Sequence, residues 1–550
     1  MNQTTLTLLG DEAAALGALH AGIGASYGYP GTPSTEMLEY LIKAYEQGGP
    51  VSRWCANEKT ALEAGLGASY AGVRSLITMK HVGLNVASDP LINGALLAIQ
   101  GGLVIAVADD PGMHSSQNEQ DSRFYADFAM IPCLEPRNQQ EAYTMAREAF
   151  DLSERFQLPV LLRLTTRLSH ARAQITLAEA RERRAPAKAA DRTRWMLLPA
   201  YARRNYRSLI EKQRDIQAWS TGCPANRLEM PDDTVRDHSL AVITAGLGGN
   251  YYEENREDFI ASRGGRIPPR LHIGAYPLPV ESIRRLCAKA ERALVLEEGQ
   301  PFIEVRLRGV LPQPLIITGR LDASGAPVSR TGELDPDTAR QSLGLPPRPS
   351  LINRGTALGL PQLPNRPPQL CQGCPHGDSY AAIKEAIKTL PPEKVAVTGD
   401  IGCYSLGANP PYGIPETIVC MGASIGMAKG IADSGLPYVM AVIGDSTFLH
   451  SGITGLIDAA AANTPMTVII LDNAVVAMTG CQETMLPPAC LRAIILGTGL
   501  DPAHLAELEA KKTLLEENAA RLKAELAYPG LSVLIFKREC LEAARKRRKA

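Results

Sequence analysis

Two constellations in this sequence could do chemistry. The first is Cys371-Gln-Gly-Cys374-Pro-His376, a pair of thiols that suits half of a zinc site, a redox dithiol or part of an iron–sulfur cluster. The second is Gly444-Asp445-Ser446 followed, after one helical and one strand-like segment, by Asp472-Asn473. An Asp carboxylate and an Asn carbonyl are hard oxygen ligands that suit Mg²⁺ in the company of phosphate. Gly444 permits close backbone approach, and a helix starting near Ser446 offers N–H groups to phosphate oxygens. A lone Gly-Asp or Cys-x-x-Cys decides nothing, so the surrounding elements have to.

Those elements read as α/β. The chain has 550 residues, too many for one hydrophobic core. It divides into residues 1–237, 238–345, a Pro-rich linker at 346–370, and 371–550. Each block alternates short apolar strands with helical or glycine-rich pieces, which predicts several doubly wound domains with mainly parallel sheets. In the first block 58–71 reads as helix, and 101–110 and 158–164 read as buried strands; 171–237 reads as a helical connection. In the last block the apolar segments ending at Gly444 and Asp472 are strands. Both acids then fall at the carboxyl edge of adjacent parallel strands, where open α/β sheets bind ligands. The segment "AELEAKKTLLEENAARLKAELA" from Ala506 reads as one covering helix.

Composition narrows the classes. Apolar residues make up 45% and charged residues 21%, with net charge −1, so no nucleic-acid footprint is expected. The single basic run, 545–549, reads as a solvated tail. The longest apolar stretch, from Leu91, is broken by Asn93, Gln100 and Gly101–Gly102, and no membrane span or signal peptide is expected. Eleven cysteines without an export signal point to a reducing cytoplasm, where a close thiol pair reads as a metal, cluster or redox site.

The spacing of Gly444-Asp445 and Asp472-Asn473 resembles the Mg²⁺–diphosphate motif of thiamine-diphosphate enzymes. The likeness extends further. "YGYPGTPSTEMLEYL", "NEKTALEAGLGASYAG", "TMKHVGLNVASDPL", "VADDPGMHSSQNEQDSRFYA", "CQGCPHG", "GDIGCYSLG" and "CMGASIGMAKG" resemble the large (alpha) subunit of indolepyruvate:ferredoxin oxidoreductases, members of the thiamine-diphosphate-dependent 2-oxoacid:ferredoxin oxidoreductases. The resemblance covers the chain to about residue 480. It implies a pyrimidine-binding domain, a transketolase-C-like domain and a diphosphate-binding domain, with the cofactor at the junction of the first and third. The implied activity is oxidative decarboxylation of a 2-oxoacid, an aryl pyruvate such as indolepyruvate, to an acyl-CoA.

The same resemblance assigns roles. Glu58 matches the glutamate that hydrogen-bonds N1′ of the aminopyrimidine; Thr32 falls where relatives hold the substrate carboxylate; His81 and His114 lie in loops near the reaction centre. Gly444, Asp445, Ser446, Asn473, Thr479 and Gln482 would contact the cofactor, with Mg²⁺ held by Asp445, Asn473 and the Val475 backbone. Related beta subunits hold a [4Fe–4S] cluster through a Cys-x-x-Cys, a Gly-x-Gly-Cys turn and a late cysteine, which here are Cys371, Cys374, Cys403 and Cys540. Cys420 is the rival for the last place, and the remaining six cysteines are assigned to packing. A Cys₄ zinc site matches the ligand count but cannot accept electrons. His376 is demoted from metal ligand to loop residue.

Expected partners are a smaller beta subunit and ferredoxin or another electron carrier, in a hetero-oligomer built on an alpha dimer. The sequence also departs from the family: the usual ferredoxin-like domain does not follow Cys540, and the loop after "MTG" keeps Gln482 but otherwise diverges. Two rivals are therefore carried, a non-oxidative thiamine-dependent decarboxylase or carboligase and a non-catalytic scaffold subunit.

Overall fold

The computed structural model describes residues 5–311, 315–320, 328–329, 331–348, 358 and 369–548. Most of the Pro-rich linker expected at 346–370 lies outside the described residues. The chain forms two compact units, Met1–Pro361 and Gln362–Ala550.

The first unit contains two main sheets. The larger has seven strands in the order 275–276, 133–134, 160–165, 103–109, 75–80, 25–28 and 51–54. All its pairings are parallel except that of Ala275–Tyr276 with Cys133–Leu134. Leu103–Asp109 and Val160–Thr165 are buried along their whole length, as strands covered on both faces must be. The second sheet has five strands, ordered 316–318, 292–296, 240–245, 270–273 and 227–229, again parallel apart from the last. The edge strand 275–276 comes from the second block, so the two sheets share chain as well as surface.

A buried ion network fastens these sheets to each other. Arg163, in mid-strand, donates to Asp109 at 2.6 Å and to Glu135. Arg123 is held by Asp121 and lies 3.0 Å from Glu297. Both arginines also donate to the Glu298 carbonyl at 3.1 Å. A cation with no exposure is tolerated only because its donors meet carboxylates and carbonyls.

The second unit is a six-stranded parallel sheet ordered 417–418, 395–399, 438–444, 466–472, 531–537 and 505–509. After Val395–Gly399 the chain goes first to one side, then returns to the other at Tyr438–Gly444, which makes a topological switch point between these strands. The segment after Ala506 is not one helix. Leu505–Glu509 is a strand, and the helix is Leu515–Leu526. Glu507 and Glu509 alternate with the more buried Leu505, Ala506 and Leu508, so a period of two was hidden in a charge-rich stretch that also fits helical spacing.

Candidate active site

The carboxyl edge of the second unit's sheet gathers the residues of the diphosphate motif. Asp445 opens the helical turns that run on through Ala461. Its Oδ1 accepts from the Ser446 N–H and its Oδ2 from the Ala474 N–H, both at 2.8 Å. Asp472, at the end of the neighbouring strand, hydrogen-bonds to Asp445. Burial, then the Asp472 carboxylate, raises Asp445 above its ordinary range; Asp472 is raised by burial, against the opposing pull of its bond to Asp445. Gly444 is needed for packing as well as for ligand approach, because a Cβ there would meet the Tyr404 ring at 2.6 Å.

Asn473 has both ends of its amide fixed. Oδ1 accepts from the Val475 N–H at 3.1 Å, and Nδ2 lies 3.1 Å from His376 Nε2. His376 is 4% exposed, and burial together with Arg538 pushes it down to about 4. It is therefore neutral and free to accept from the amide. The cysteine-loop histidine is thus a neighbour of the proposed Mg²⁺ ligand. Thr479 and Gln482 bond to each other, Thr479 Oγ1 donating to Gln482 Oε1 at 2.6 Å and Gln482 Nε2 to the Thr479 carbonyl at 3.0 Å. The divergent loop is placed by the same edge: Thr484, Leu486, Pro487 and Leu491 line a small cleft with Asp445 and Asp472.

The cysteines are brought together beside this loop. Cys374 caps the helix Pro375–Ile387, and the Cys371 carbonyl accepts its N–H at 3.0 Å. The Cys540 N–H donates to the Asn473 carbonyl at 3.4 Å. Arg538 ties down the cysteine loop by donating to the Gly373 carbonyl and to Asp378. Burial, then the thiols of Cys374, Cys540, Cys371 and Cys481, push Cys403 up to about 12. Cys374 is likewise raised by burial, with Cys371 and Cys540 adding to it. Cys420 is exposed, and its upward shift comes from burial and Asp400, with no thiol contributing. Among the described residues, no group of three or more Cys, His, Asp or Glu converges as a single metal ion requires. Cys481, assigned above to packing, has its thiol pushed up by burial and then by Cys540, which puts it with the other thiols. It has no motif spacing, so nothing in the sequence marked it.

In the first unit, Glu58, Thr32 and His81 fall at or just beyond the carboxyl ends of strands of the seven-stranded sheet. Glu58 begins the helix Glu58–Tyr70, capped by Asn57, whose side chain accepts from the Thr60 N–H at 2.9 Å. The Glu58 carboxylate is 4% exposed and lies directly against Gly83, where a Cβ would come within 2.4 Å of its Oε1. His81 is fully buried; its Nε2 donates to the Asn118 carbonyl at 3.1 Å, and its Nδ1 has no partner among the described residues. The Thr32 carbonyl accepts from Ser115 Oγ at 3.2 Å. His114 is drawn away to Glu333, 2.8 Å distant, and its side chain is half exposed.

Sequence reasoning missed Lys80. Its ammonium donates to the Ser115 carbonyl at 3.1 Å and is pushed down to about 8 by burial, against the pull of Asp110 and Glu58. A strand-end lysine before a histidine gave no sign that its charge would lie beside Glu58.

Residues 16–216 match the model of the pyruvate flavodoxin/ferredoxin oxidoreductase, thiamine diphosphate-binding family, and residues 400–524 match the thiamine pyrophosphate enzyme C-terminal binding domain. The chain is 38% identical over 494 residues to indolepyruvate oxidoreductase subunit IorA of Archaeoglobus fulgidus, covering 86% of this chain and 76% of that protein. It is 34% identical to the IorA subunit of Methanothermobacter thermautotrophicus, covering 98% and 87%. The 2-oxoglutarate:ferredoxin oxidoreductase of Magnetococcus marinus superposes with a TM-score of 0.49 at 17% identity, over 57% of this chain and 62% of that one, a likeness too low to add to the assignment. No described helix is long and apolar enough to cross a membrane. Matched over most of its length at this identity, the chain belongs to the indolepyruvate oxidoreductase IorA family of thiamine-dependent 2-oxoacid oxidoreductase subunits.

Proposed function

We propose that this chain is the thiamine-diphosphate-binding subunit of a 2-oxoacid oxidoreductase, converting an aryl pyruvate such as indolepyruvate to an acyl-CoA and CO₂. The observation that carries the reading is Glu58, a carboxylate buried at a sheet's carboxyl edge with a glycine set against it. When bound, thiamine diphosphate supplies a nucleophilic carbon that accepts the acyl group and stabilises the charge left by decarboxylation.

The chain's own residues do the rest. Glu58 Oε1 or Oε2 exchanges a proton with the aminopyrimidine ring, and its burial excludes competing water. Thr32 and the Lys80 ammonium orient the substrate carboxylate, which needs a donor and a positive charge. His81 holds a fixed tautomer through the Asn118 carbonyl, leaving Nδ1 as an acceptor. His114, anchored on Glu333, serves at the approach to the site and not at its centre.

In the second unit, Asp445 and Asn473 Oδ1 provide hard oxygens for Mg²⁺, with the Val475 backbone and the Ser446 turn beside them. Asp445 and Asp472 face each other there, and a cation would relieve the repulsion that the Asp472 carboxylate exerts on Asp445. Cys371, Cys374, Cys403 and Cys540 would supply the four thiolates that a [4Fe–4S] cluster requires, and their thiols act on one another's titration. Such a cluster would supply one-electron transfer to ferredoxin or to a smaller partner subunit, within an assembly built on paired alpha subunits in the cytoplasm.

The test is hydrogen–deuterium exchange at the thiazolium C2 carbon of bound thiamine diphosphate, followed by NMR. Glu58→Ala should bind the cofactor and lose accelerated exchange. Exchange at the wild-type rate in that variant would overturn the assignment.

A further inference from the structure

One carboxylate ties together the strand ends that carry Thr32 and Lys80. In the seven-stranded sheet the strands 160–165, 103–109, 75–80 and 25–28 are consecutive parallel neighbours. Asp110 follows the second of them and is fully buried. Its Oδ1 accepts from Thr166 Oγ1 at 2.7 Å, one residue past the end of the first. Its Oδ2 accepts from the Ser115 N–H at 2.8 Å and from Ser116 Oγ at 2.7 Å, which closes residues 110–116 into a loop. Ser115, so held, reaches the other two strand ends. Its carbonyl accepts from Lys80 Nζ at 3.1 Å, and its hydroxyl donates to the Thr32 carbonyl at 3.2 Å.

The loop is held in a form it would not keep alone. Met113 has a φ of 55°, in the left-handed region that a non-glycine residue enters only when its surroundings impose it, and its N–H donates to the Asp110 carbonyl at 3.0 Å. Burial would raise the Asp110 carboxyl, but Thr166, Ser115, Ser116 and Lys80 together outweigh it and hold the group below its ordinary value, so it stays ionised. A buried carboxylate satisfied in this way rigidifies what it binds.

We propose that Asp110 is a positioning residue for 2-oxoacid binding: through Ser115 it sets where the Lys80 ammonium and the Thr32 turn stand to receive the substrate carboxylate. This rests on the reading of Lys80 and Thr32 given above. Asp110 acts through its neighbours, because loop and helix donors occupy both of its oxygens. Its charge also supports that of Lys80. Burial pushes Lys80 down to about 8, while Asp110 and Glu58 pull the other way. Without the Asp110 charge, less of Lys80 is protonated near neutral pH and less charge is offered to the carboxylate.

The experiment has two arms. Competitive acetylation of the full chain without cofactor, from about pH 6 to about pH 10 and read by peptide mass spectrometry, reports the titration of Lys80. Its midpoint should lie near 8 in wild type and move down in Asp110→Asn, which keeps the shape and an acceptor for the Ser115 N–H but not the charge. Kinetics of the assembled enzyme form the second arm. Asp110→Ala should raise KM for the 2-oxoacid about tenfold or more, with a smaller change in kcat. In a Lys80→Met background the same substitution should do much less, because its route to the substrate is already cut. Thermal melts identify the folded variants, and should Asp110→Ala not fold, Asp110→Asn supplies the kinetic arm. An unchanged Lys80 midpoint, an unchanged KM in the folded variants, or effects of Asp110 and Lys80 on KM that simply multiply would each overturn the proposal. If Lys80→Met alone leaves KM unchanged, the carboxylate reading of Lys80 falls first and takes this proposal with it.

Discussion

Gly83→Ala is the most informative single substitution, because the structure says what the new methyl would strike. Built at Gly83, it lies 2.4 Å from Glu58 Oε1 and 2.7 Å from its Cγ and Cδ. Ordinary contact begins near 3.4 Å, so about 1 Å must be found. Glu58 is the contacting side chain, so the displacement falls on the carboxylate and not on the backbone. A misplacement of about 1 Å at a catalytic group costs on the order of 100-fold in rate, equivalent to about 2.7 kcal/mol. The fold is expected to tolerate the change: alanine gains about 1 kcal/mol over glycine in a helix, against about 1–3 kcal/mol of overpacking. The assay is C2 exchange in bound thiamine diphosphate, with urea denaturation run alongside. Exchange slowed about 100-fold with the denaturation midpoint nearly unchanged supports the argument. Wild-type exchange would show that the Glu58 position is not critical and refute it.

Other consequences can be checked independently. Arg163→Met leaves Asp109 and Glu135 buried without their cation and should cost about 3–5 kcal/mol in chemical denaturation. Lys80→Met should raise KM for the 2-oxoacid far more than it lowers kcat, since it removes a charge from substrate binding and not from the reacting carbon. Asp11, buried in the first unit, is raised from 3.8 to about 8 by burial. The folded state therefore binds its proton more tightly, and stability should fall as pH rises from about 4 to about 8. Asp11→Asn should flatten that slope in thermal melts across the same range.

Some of this was legible in the sequence for a physical reason. Asp445 and Asn473 stand out because each follows an apolar run that reads as a buried strand, and the parallel sheet aligns those ends. The thiols of Cys371, Cys374 and Cys403 were marked by local spacing. Cys540 was a weaker candidate, and its place depended on the last strand bringing it back to the Asn473 loop. Cys481 and Lys80 could not be read at all, because each acts through a neighbour far away in sequence. Arg163 had a signal in retrospect: one arginine in the apolar run "LPVLLRL" must find carboxylates or be expelled. The strand at Leu505–Glu509 was concealed because its alternation over five residues also satisfies a helical pattern.

Oxidative decarboxylation by this chain is open to direct test. The direct measurement is a single anaerobic turnover of the assembled enzyme with an aryl pyruvate, coenzyme A and a one-electron dye, counting CO₂, acyl-CoA and electrons together. One acyl-CoA and a pair of electrons are expected for each CO₂, all abolished by Glu58→Ala. Release of CO₂ with an aldehyde or acyloin and no reduced dye would contradict it.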